Sequence, residues 1–488
     1  MLGHERTYQA WYGVPQIAIE GTESEILDWA NSSGEYGYGT DLARIADLIE
    51  RREQHNFYRY EDEVDDYRQD HHQLHLDQEW RGWDLGLTAH YTAGSGYYEQ
   101  YKPDAELSLY GVTDLVIGDS AIATGDVIRR RWLDNAYKGV ALNAHRSWDR
   151  ISMKWGGGEF NYEGAHFGVP IWMQYAGSTQ LGARYYSNVG SKTDRYGFAG
   201  FTQDWGGGRI RTQLELQGRQ VIYSIEGTDN DLTQLAVNDR LFFLNPKAGM
   251  DWMMSPFNRF FASISQGNRE PVRTDYVDRV TSEKPLPETM TDWELGWEHD
   301  RKAWSLQAVA FYMRYHNQLV LTGALNDTGS PIQQNVDRSY RAGLEWSSAW
   351  RPKEGVTWQG TATWSLNRID SFTEILSDYD EGFPSVVEVE HGTTDIAFAP
   401  NFTASSVAAY RFWDRSKADG RTRGTVEWAA RYVGKQYLDN TSRDSRSLQS
   451  YAVQDIRLQW SWERPSGTRV TFNAFLRNVL NAKYSANG

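Results

Sequence analysis

Hydrophobic and polar residues alternate with period two through most of the chain, the mark of strands that present two different faces. Trp83, Leu85, Leu87, Ala89 and Tyr91 alternate with Asp84, Gly86, Thr88 and His90. Just before them Leu74, Leu76 and Trp80 alternate with Gln73, His75, Asp77 and Glu79. Near the end Val426, Trp428, Ala430 and Tyr432 alternate with Glu427 and Arg431, and Ile456, Leu458, Trp460 and Trp462 with Asp455, Arg457, Gln459 and Ser461. One such strand fits a water-soluble sandwich as well as a membrane wall.

The connections separate the two. Tight links carrying Gly, Pro, Asn, Asp or Ser turn chemistry are predicted at Glu79–Gly82, Arg146–Asp149, Asp204–Arg209, Ser255–Asn258, Arg351–Gly355 and Arg464–Gly467. Between them lie long polar links: Gly13–Tyr67, Gly96–Asp126, Phe160–Lys192, Gly227–Asp239, Arg269–Thr289, Ile369–Thr394 and Gly434–Ser447. Short and long links in alternation are expected of a transmembrane antiparallel β-barrel, with short turns on the periplasmic side and long loops outside. About seventeen strands fit between the links, the first ending near Tyr12 and the last running from Gly467 to about Tyr484. A closed bacterial barrel has an even strand number, so at least one further strand is expected after Gly488. Within Glu20–Glu63, the spacing of Ile26, Leu27, Ala30, Leu42, Ile45, Ala46, Leu48 and Ile49 predicts helix in the largest loop.

Composition narrows the picture. The chain has 488 residues, 40% of them hydrophobic, and a mean hydropathy of -0.66. No stretch approaches the ~20 apolar residues of a membrane-spanning helix. Barrel strands escape that criterion because only every second residue meets lipid. Trp 21, Tyr 29 and Phe 18 bring aromatics to 14%, suited to membrane interfaces. The other reading of such a composition is a Trp-rich, secreted or periplasmic all-β carbohydrate-active enzyme. A net charge of -15 argues against nucleic acid as a partner. Cysteine is absent, which removes disulfides and thiolate metal sites. No secretory signal opens the sequence, so the natural start is expected upstream of Met1.

Candidate chemistry is sparse. His71, His72 and His75 form a histidine cluster, but on a strand His71 and His75 stand ~13 Å apart, too far for one metal ion. Gly156–Gly158 lacks the Lys-Ser/Thr ending of a phosphate-binding loop and is expected in a flexible loop. Asp378, Asp380 and Glu381 suit a solvated acidic loop better than a carboxylate pair for glycoside hydrolysis. For Arg129, Arg130 and Arg131, a role in the lumen and anchoring at a strand end both stand. Tyr97, Tyr98, Tyr101 and Tyr437, near loop bases, are candidate ligand contacts as rigid amphipathic surface, together with Arg269.

The C-terminal run from Phe475 to Gly488 resembles the penultimate-strand signature of TonB-dependent receptors, with Asn478, Leu480, Asn481 and Tyr484 at the matching positions. Asn245–Trp252 followed by Arg259–Pro271 is similar to the family's strand, turn and strand that open an external loop. Pro287, Glu288, Glu294 and Gly296, then Gly343 and Glu345, resemble two further elements, and Glu5–Pro15 extends the likeness to almost the whole chain. The resemblance implies a 22-stranded barrel around an N-terminal plug. Residues 1–488 are then one partial barrel domain, with the plug, the TonB box and about four strands expected before Met1 and one strand after Gly488. It implies a cell outer-membrane location among lipid and lipopolysaccharide, energy from the TonB complex, and no enzyme activity or cofactor. Its ligand would be a small molecule or metal chelate: an iron-siderophore complex first, then cobalamin, haem or an oligosaccharide. A passive porin is the remaining alternative.

Overall fold

In a computed structural model, described over residues 2–8, 13–32, 41–58, 60–113, 115–278, 283–325, 331–378, 385–418 and 420–485, the chain forms one antiparallel meander. Its strands are β1 (Leu2–Tyr8), β2 (Val64–Trp80), β3 (Trp83–Glu106), β4 (Thr124–Ser147), β5 (Ile151–Met173) and β6 (Tyr186–Trp205). Then come β7 (Ile210–Thr228), β8 (Gln234–Ser255), β9 (Asn258–Arg269), β10 (Glu288–Asp300), β11 (Trp304–Leu325) and β12 (Pro331–Lys353). The last are β13 (Val356–Ile369), β14 (Phe402–Lys417), β15 (Gly420–Val433), β16 (Tyr451–Glu463) and β17 (Arg469–Leu476). Each pairs with its successor, and Thr394–Asp395 adds a two-residue extension beside β13. The predicted end of the first strand at Tyr12 lies outside the described residues.

The predicted tight links are tight, and their backbone explains why. Trp80 pairs with Trp83 across Arg81 and Gly82, both at positive φ (51° and 76°), the conformation that matches the twist of a two-residue hairpin. Four of the long links, those after β3, β5, β7 and β9, are shorter than predicted. β3 runs on to Glu106 and β5 to Met173, and the link from β7 to β8 spans only residues 229–233. Hydropathy alternation ends where the strand leaves lipid, but backbone pairing has no reason to end there, so the ladder continues after the pattern fades. The same reasoning places Gly156–Gly158 inside β5 rather than in a loop. Side chains larger than hydrogen have no room there: a Cβ on Gly158 would crowd the carbonyl of Val140 at 2.8 Å and the rings of Phe160 and Tyr196.

Register assembles the apolar positions into a belt. Leu87, Leu142, Gly157, Gly197, Gly218 and Leu244 are successive partners from β3 to β8, and Trp293, Tyr312, Ala342 and Leu366 continue a row from β10 to β13. Phe242 is 71% exposed, Trp364 67% and Leu295 62%, a surface that water would not tolerate over such an area and that hydrocarbon suits. Tryptophans gather at the turn end, where Trp83 meets Trp148 at 6.0 Å and Trp350 pairs with Trp358. Tyr91, Tyr312, Tyr340 and Tyr432 mark the opposite rim. From Trp83 to Tyr91 the belt covers about 26 Å of strand, close to the ~25 Å apolar band of barrels.

The 9–63 link holds α1 (Gln16–Glu20), α2 (Glu23–Ser32) and α3 (Leu42–Arg51) around buried Ala18, Ile26, Ala30, Ile45 and Leu48. Thr22 and Glu25 cap α2 reciprocally, and Asp41 accepts from the Arg44 amide to start α3. Leu27 and Leu42, counted with the apolar stripe, are instead exposed. A last helix, α4 (Arg273–Val277), sits in the β9–β10 link.

On the loop side, distant segments are tied by charge. Glu374, in a hairpin between β13 and β14, is buried among His391, Arg443 and Arg446. Arg446 also reaches Asp439 at 2.7 Å, and Asn440 accepts from the Ala397 amide at 2.8 Å and donates to the Leu321 carbonyl.

Candidate ligand vestibule

Alternation assigns each residue of β3 a face: odd numbers from Trp83 to Tyr101 share the belt side, even numbers the interior. The interior rows then converge. Thr7, Asp65, Tyr98 and Arg131 are successive partners across β1 to β4, and Glu5, Tyr67, Gly96, Leu133 and His166 form the row beneath. Tyr186 joins from β6 through Gly168. Together they line a cavity of about 620 Å3 above the level of the belt.

Its chemistry is aromatic with one central cation. The Arg131 guanidinium lies 5.3 Å from the Tyr98 ring and 5.8 Å from that of Tyr186, and donates to the Tyr186 hydroxyl at 3.2 Å. Tyr67 donates to Asn135 at 3.1 Å, and its ring crosses Gly94 and Gly96, where any side chain would collide with it. A shelf of rings lies below, with His90 at 4.6 Å from Tyr137 and Phe160 stacked on Tyr196 at 6.1 Å. Alongside it Arg219 joins Asp194 to Glu270, which also accepts from Lys192. Burial pushes the Glu270 carboxyl upward, but Arg219 and Lys192 outweigh it and hold the group below the usual carboxylate range. The β9–β10 link leans inward: Arg273 donates to Asn188 at 2.9 Å, and Tyr276 stacks on Tyr223 at 5.3 Å while donating to Asp239 at 2.7 Å.

Of the candidate ligand contacts read from the sequence, Tyr97 and Tyr98 both border this cavity, and strand parity points the Tyr98 side chain into it. The side chains of Tyr97 and Tyr101 belong to the opposite face. Arg130 lies over Tyr97 at 4.3 Å and pairs with Glu99 at 2.7 Å, and Tyr101 donates to Asp126 beside the helical lobe. Arg269 pairs with Glu288 at 2.9 Å at the mouth of β9 and β10. Tyr437 sits in the β15–β16 loop under the Lys435 ammonium at 4.8 Å. The arginine run divides by parity: Arg131 enters the vestibule, Arg130 faces out, and Arg129 is buried, donating to Gln100 at 2.8 Å and to Tyr110. Glu5, Asp65, Tyr67, His166 and Tyr186 went unnoticed in the sequence, though register counted from Tyr98 would have found them.

The histidine cluster does not converge. His71 and His75 hydrogen-bond to Thr92 and Thr88 on one face, while His72 stacks near Tyr91 at 6.4 Å on the other. Asp380 and Glu381 lie outside the described residues, as does the side chain of Asp378.

The family model described as TonB dependent receptor-like, beta-barrel matches residues 15–479. The chain belongs to the TonB-dependent receptor family. As such it is an outer-membrane β-barrel. Among solved structures it is similar to BauA, the ferric preacinetobactin receptor from Acinetobacter baumannii (TM-score 0.57, 13% identity, 86% of this chain and 60% of that one). It is also similar to FyuA, the ferric yersiniabactin uptake receptor from Yersinia pestis (0.56, 14%, 87% and 58%) and to Fiu, the ferric-catecholate import receptor from K12 E. coli (0.57, 14%, 91% and 64%). The chain thus spans about 60% of the length of these receptors. No curated protein sequence matches it.

The TonB-dependent receptor signature at the C-terminus has a backbone cause. Asn478 and Asn481 adopt left-handed conformations, φ 48° and 49°, which asparagine tolerates better than other side chains. The Asn478 side chain closes the turn, donating to the Ala482 carbonyl at 2.9 Å and accepting from its amide at 2.8 Å. Tyr484 stacks on Tyr451 at 4.2 Å, and Leu480 is exposed. The signature glycines Gly296 and Gly343 face Phe261 and Phe311, whose rings occupy the space a Cβ would need.

Proposed function

We propose that this barrel is the solute-capturing wall of a receptor for TonB-dependent active uptake, and that the solute is a ferric chelate of siderophore type. The observation that carries the reading is the Tyr98–Arg131–Tyr186 arrangement in the vestibule. Aromatic faces with a fixed guanidinium beside them suit a chelate whose ligand arms carry aromatic rings and oxygen acceptors, and a cavity of about 620 Å3 falls in the range of small-molecule sites. The likeness to receptors for ferric preacinetobactin, ferric yersiniabactin and ferric catecholates supports the same solute class. In this reading Glu5, Asp65 and His166 orient the ligand by hydrogen bonds, and the α4 segment bounds the site from the β9–β10 side. Force transmission belongs to the plug and TonB box that the family resemblance implies.

Quenching of tryptophan fluorescence tests the proposal on the folded protein in detergent. The probes are ferric catecholate, hydroxamate and carboxylate chelates, with cobalamin, haem and maltodextrins alongside. At least one ferric chelate is expected to bind, and Arg131→Ala to weaken it by about 30-fold, the value of a charge-assisted hydrogen bond lost from an enclosed site. Binding of cobalamin, haem or maltodextrin with no response to any chelate would overturn the solute class.

A further inference from the structure

On the loop-side rim of the apolar belt, a groove of about 600 Å3 opens between β2 and β5. Register sets its walls. His72, Tyr91, Lys138 and Asn161 are successive neighbours across the four strands, and Leu74, Ala89, Val140 and Glu159 form the next row towards the turn end. Below them come Leu76, Leu87, Leu142 and Gly157. All of these side chains share the face that carries the belt. Within one strand step the surface changes from polar donors to hydrocarbon, with Ala89 and Gly157 leaving a depression among larger side chains.

Charge decides what suits it. Glu159 is already engaged, by Arg195 at 2.8 Å and by the Asn161 amide at 3.2 Å. The Lys138 ammonium pairs with no carboxylate among the described residues. A lone cation at the edge of hydrocarbon is costly unless an anion reaches it, and the anions at that depth are lipid headgroups. The long links lie outside the cell, so the leaflet at this rim is the outer one.

We infer that this groove holds one outer-leaflet glycolipid, with a headgroup phosphate on Lys138, hydrogen bonds from Tyr91 and His72, and an acyl chain along Leu74, Ala89 and Val140. Inorganic phosphate would meet the cation but leave the apolar half of the groove empty, so the lipid, rather than the free anion, is the ligand. The site stands apart from the vestibule on the opposite face of the sheet and does not depend on which solute is transported.

Native mass spectrometry of the detergent-solubilised protein tests the assignment, with lipid A and its dephosphorylated form as probes. Lys138→Gln removes the charge. Ala89→Trp fills the apolar half and keeps the charge. Lys154→Gln, whose ammonium pairs with Glu215 on the interior face, is the charge-matched control. Wild type and the control are expected to retain lipid A equally, with Lys138→Gln lower by about fivefold, the worth of one lysine at an anionic surface. Ala89→Trp is expected to retain less as well, and dephosphorylated lipid A to be held by wild type no better than lipid A is by Lys138→Gln. Equal retention by Lys138→Gln and wild type would refute the site. So would equal retention of the two lipids, or displacement of lipid A by inorganic phosphate. Heat-modifiable gel mobility verifies that each variant is folded.

Discussion

Glu374 and Arg446, 72 residues apart in the chain, meet at 2.7 Å, and through them the β13–β14 hairpin is fastened to the β15–β16 loop. Arg443 at 3.0 Å and His391 at 2.9 Å complete the set around one buried carboxylate. Glu374→Gln keeps the shape and removes the charge. Hydrogen bonds to charged groups contribute about 1.5 kcal/mol where, as here, the arginines remain partly solvated. Amide exchange at residues 436–448 is expected to lose about tenfold in protection, while amides of β13 and β14 within the belt stay unchanged. Unaltered exchange in that loop would show that the fastening lies elsewhere.

The same cluster predicts a pH dependence. Burial pushes Glu374 and Asp439 upward. For Glu374, the hydrogen bonds from His391 and Arg446 outweigh it; for Asp439, those from Arg446 and Thr441 do, so both carboxyls end below their ordinary values of 4.5 and 3.8. A depressed folded-state pKa gives stability that is complete above the ordinary value and disappears as pH falls through the folded one. Limited proteolysis of the β15–β16 loop is therefore expected to be flat from neutral pH down to about 5 and to accelerate below about 4. Acceleration beginning near pH 6 would show that these carboxylates do not set the stability of the loop.

Gly296 tests the ring-on-glycine packing. A Cβ there falls on the Phe261 ring, so Gly296→Ala is expected to lower folding stability by about 1–2 kcal/mol in urea titration of protein folded into lipid vesicles. Adding Phe261→Leu should recover part of that loss, because the two residues share one space. Additive losses would mean that the ring does not lie over the glycine.

Asn478 combines a left-handed backbone with two side-chain hydrogen bonds to Ala482, whereas Asn481 carries mainly the backbone requirement. Asn478→Ala should cost about 2 kcal/mol, Asn478→Gly about 1, and Asn481→Gly close to nothing. The order of apparent unfolding temperatures at one scan rate checks this, and a reversed order for the two glycine variants would contradict it.

How far the sequence could be read depended on where lipid was present to write the pattern. From Trp83 to Tyr91 every second side chain meets hydrocarbon, and strand, face and turn could all be read. Beyond Tyr91 both faces are polar, so the continuation of β3 through Tyr97, Glu99 and Tyr101 looked like loop. The helical lobe was legible because Ile26, Ala30, Ile45 and Leu48 make their own small core. The vestibule was mostly not. Tyr97, Tyr98 and Tyr101 are chemically alike, and only strand parity separates the one that faces the interior. His166 and Tyr186 lie far from Tyr98 in the chain and reach it through three ladders that no local pattern announces.

The extension of β3 past the belt, from Tyr91 to Glu106, amounts to about 50 Å of paired strand. Recognition side chains in many proteins hang on loops that must be ordered when a ligand arrives, with a corresponding loss of affinity. Here Tyr98, Arg131 and His166 are anchored in a ladder whose lower half is clamped by the bilayer. The membrane itself therefore stiffens the wall above it, and the vestibule side chains are held in position by the ladder rather than by a loop.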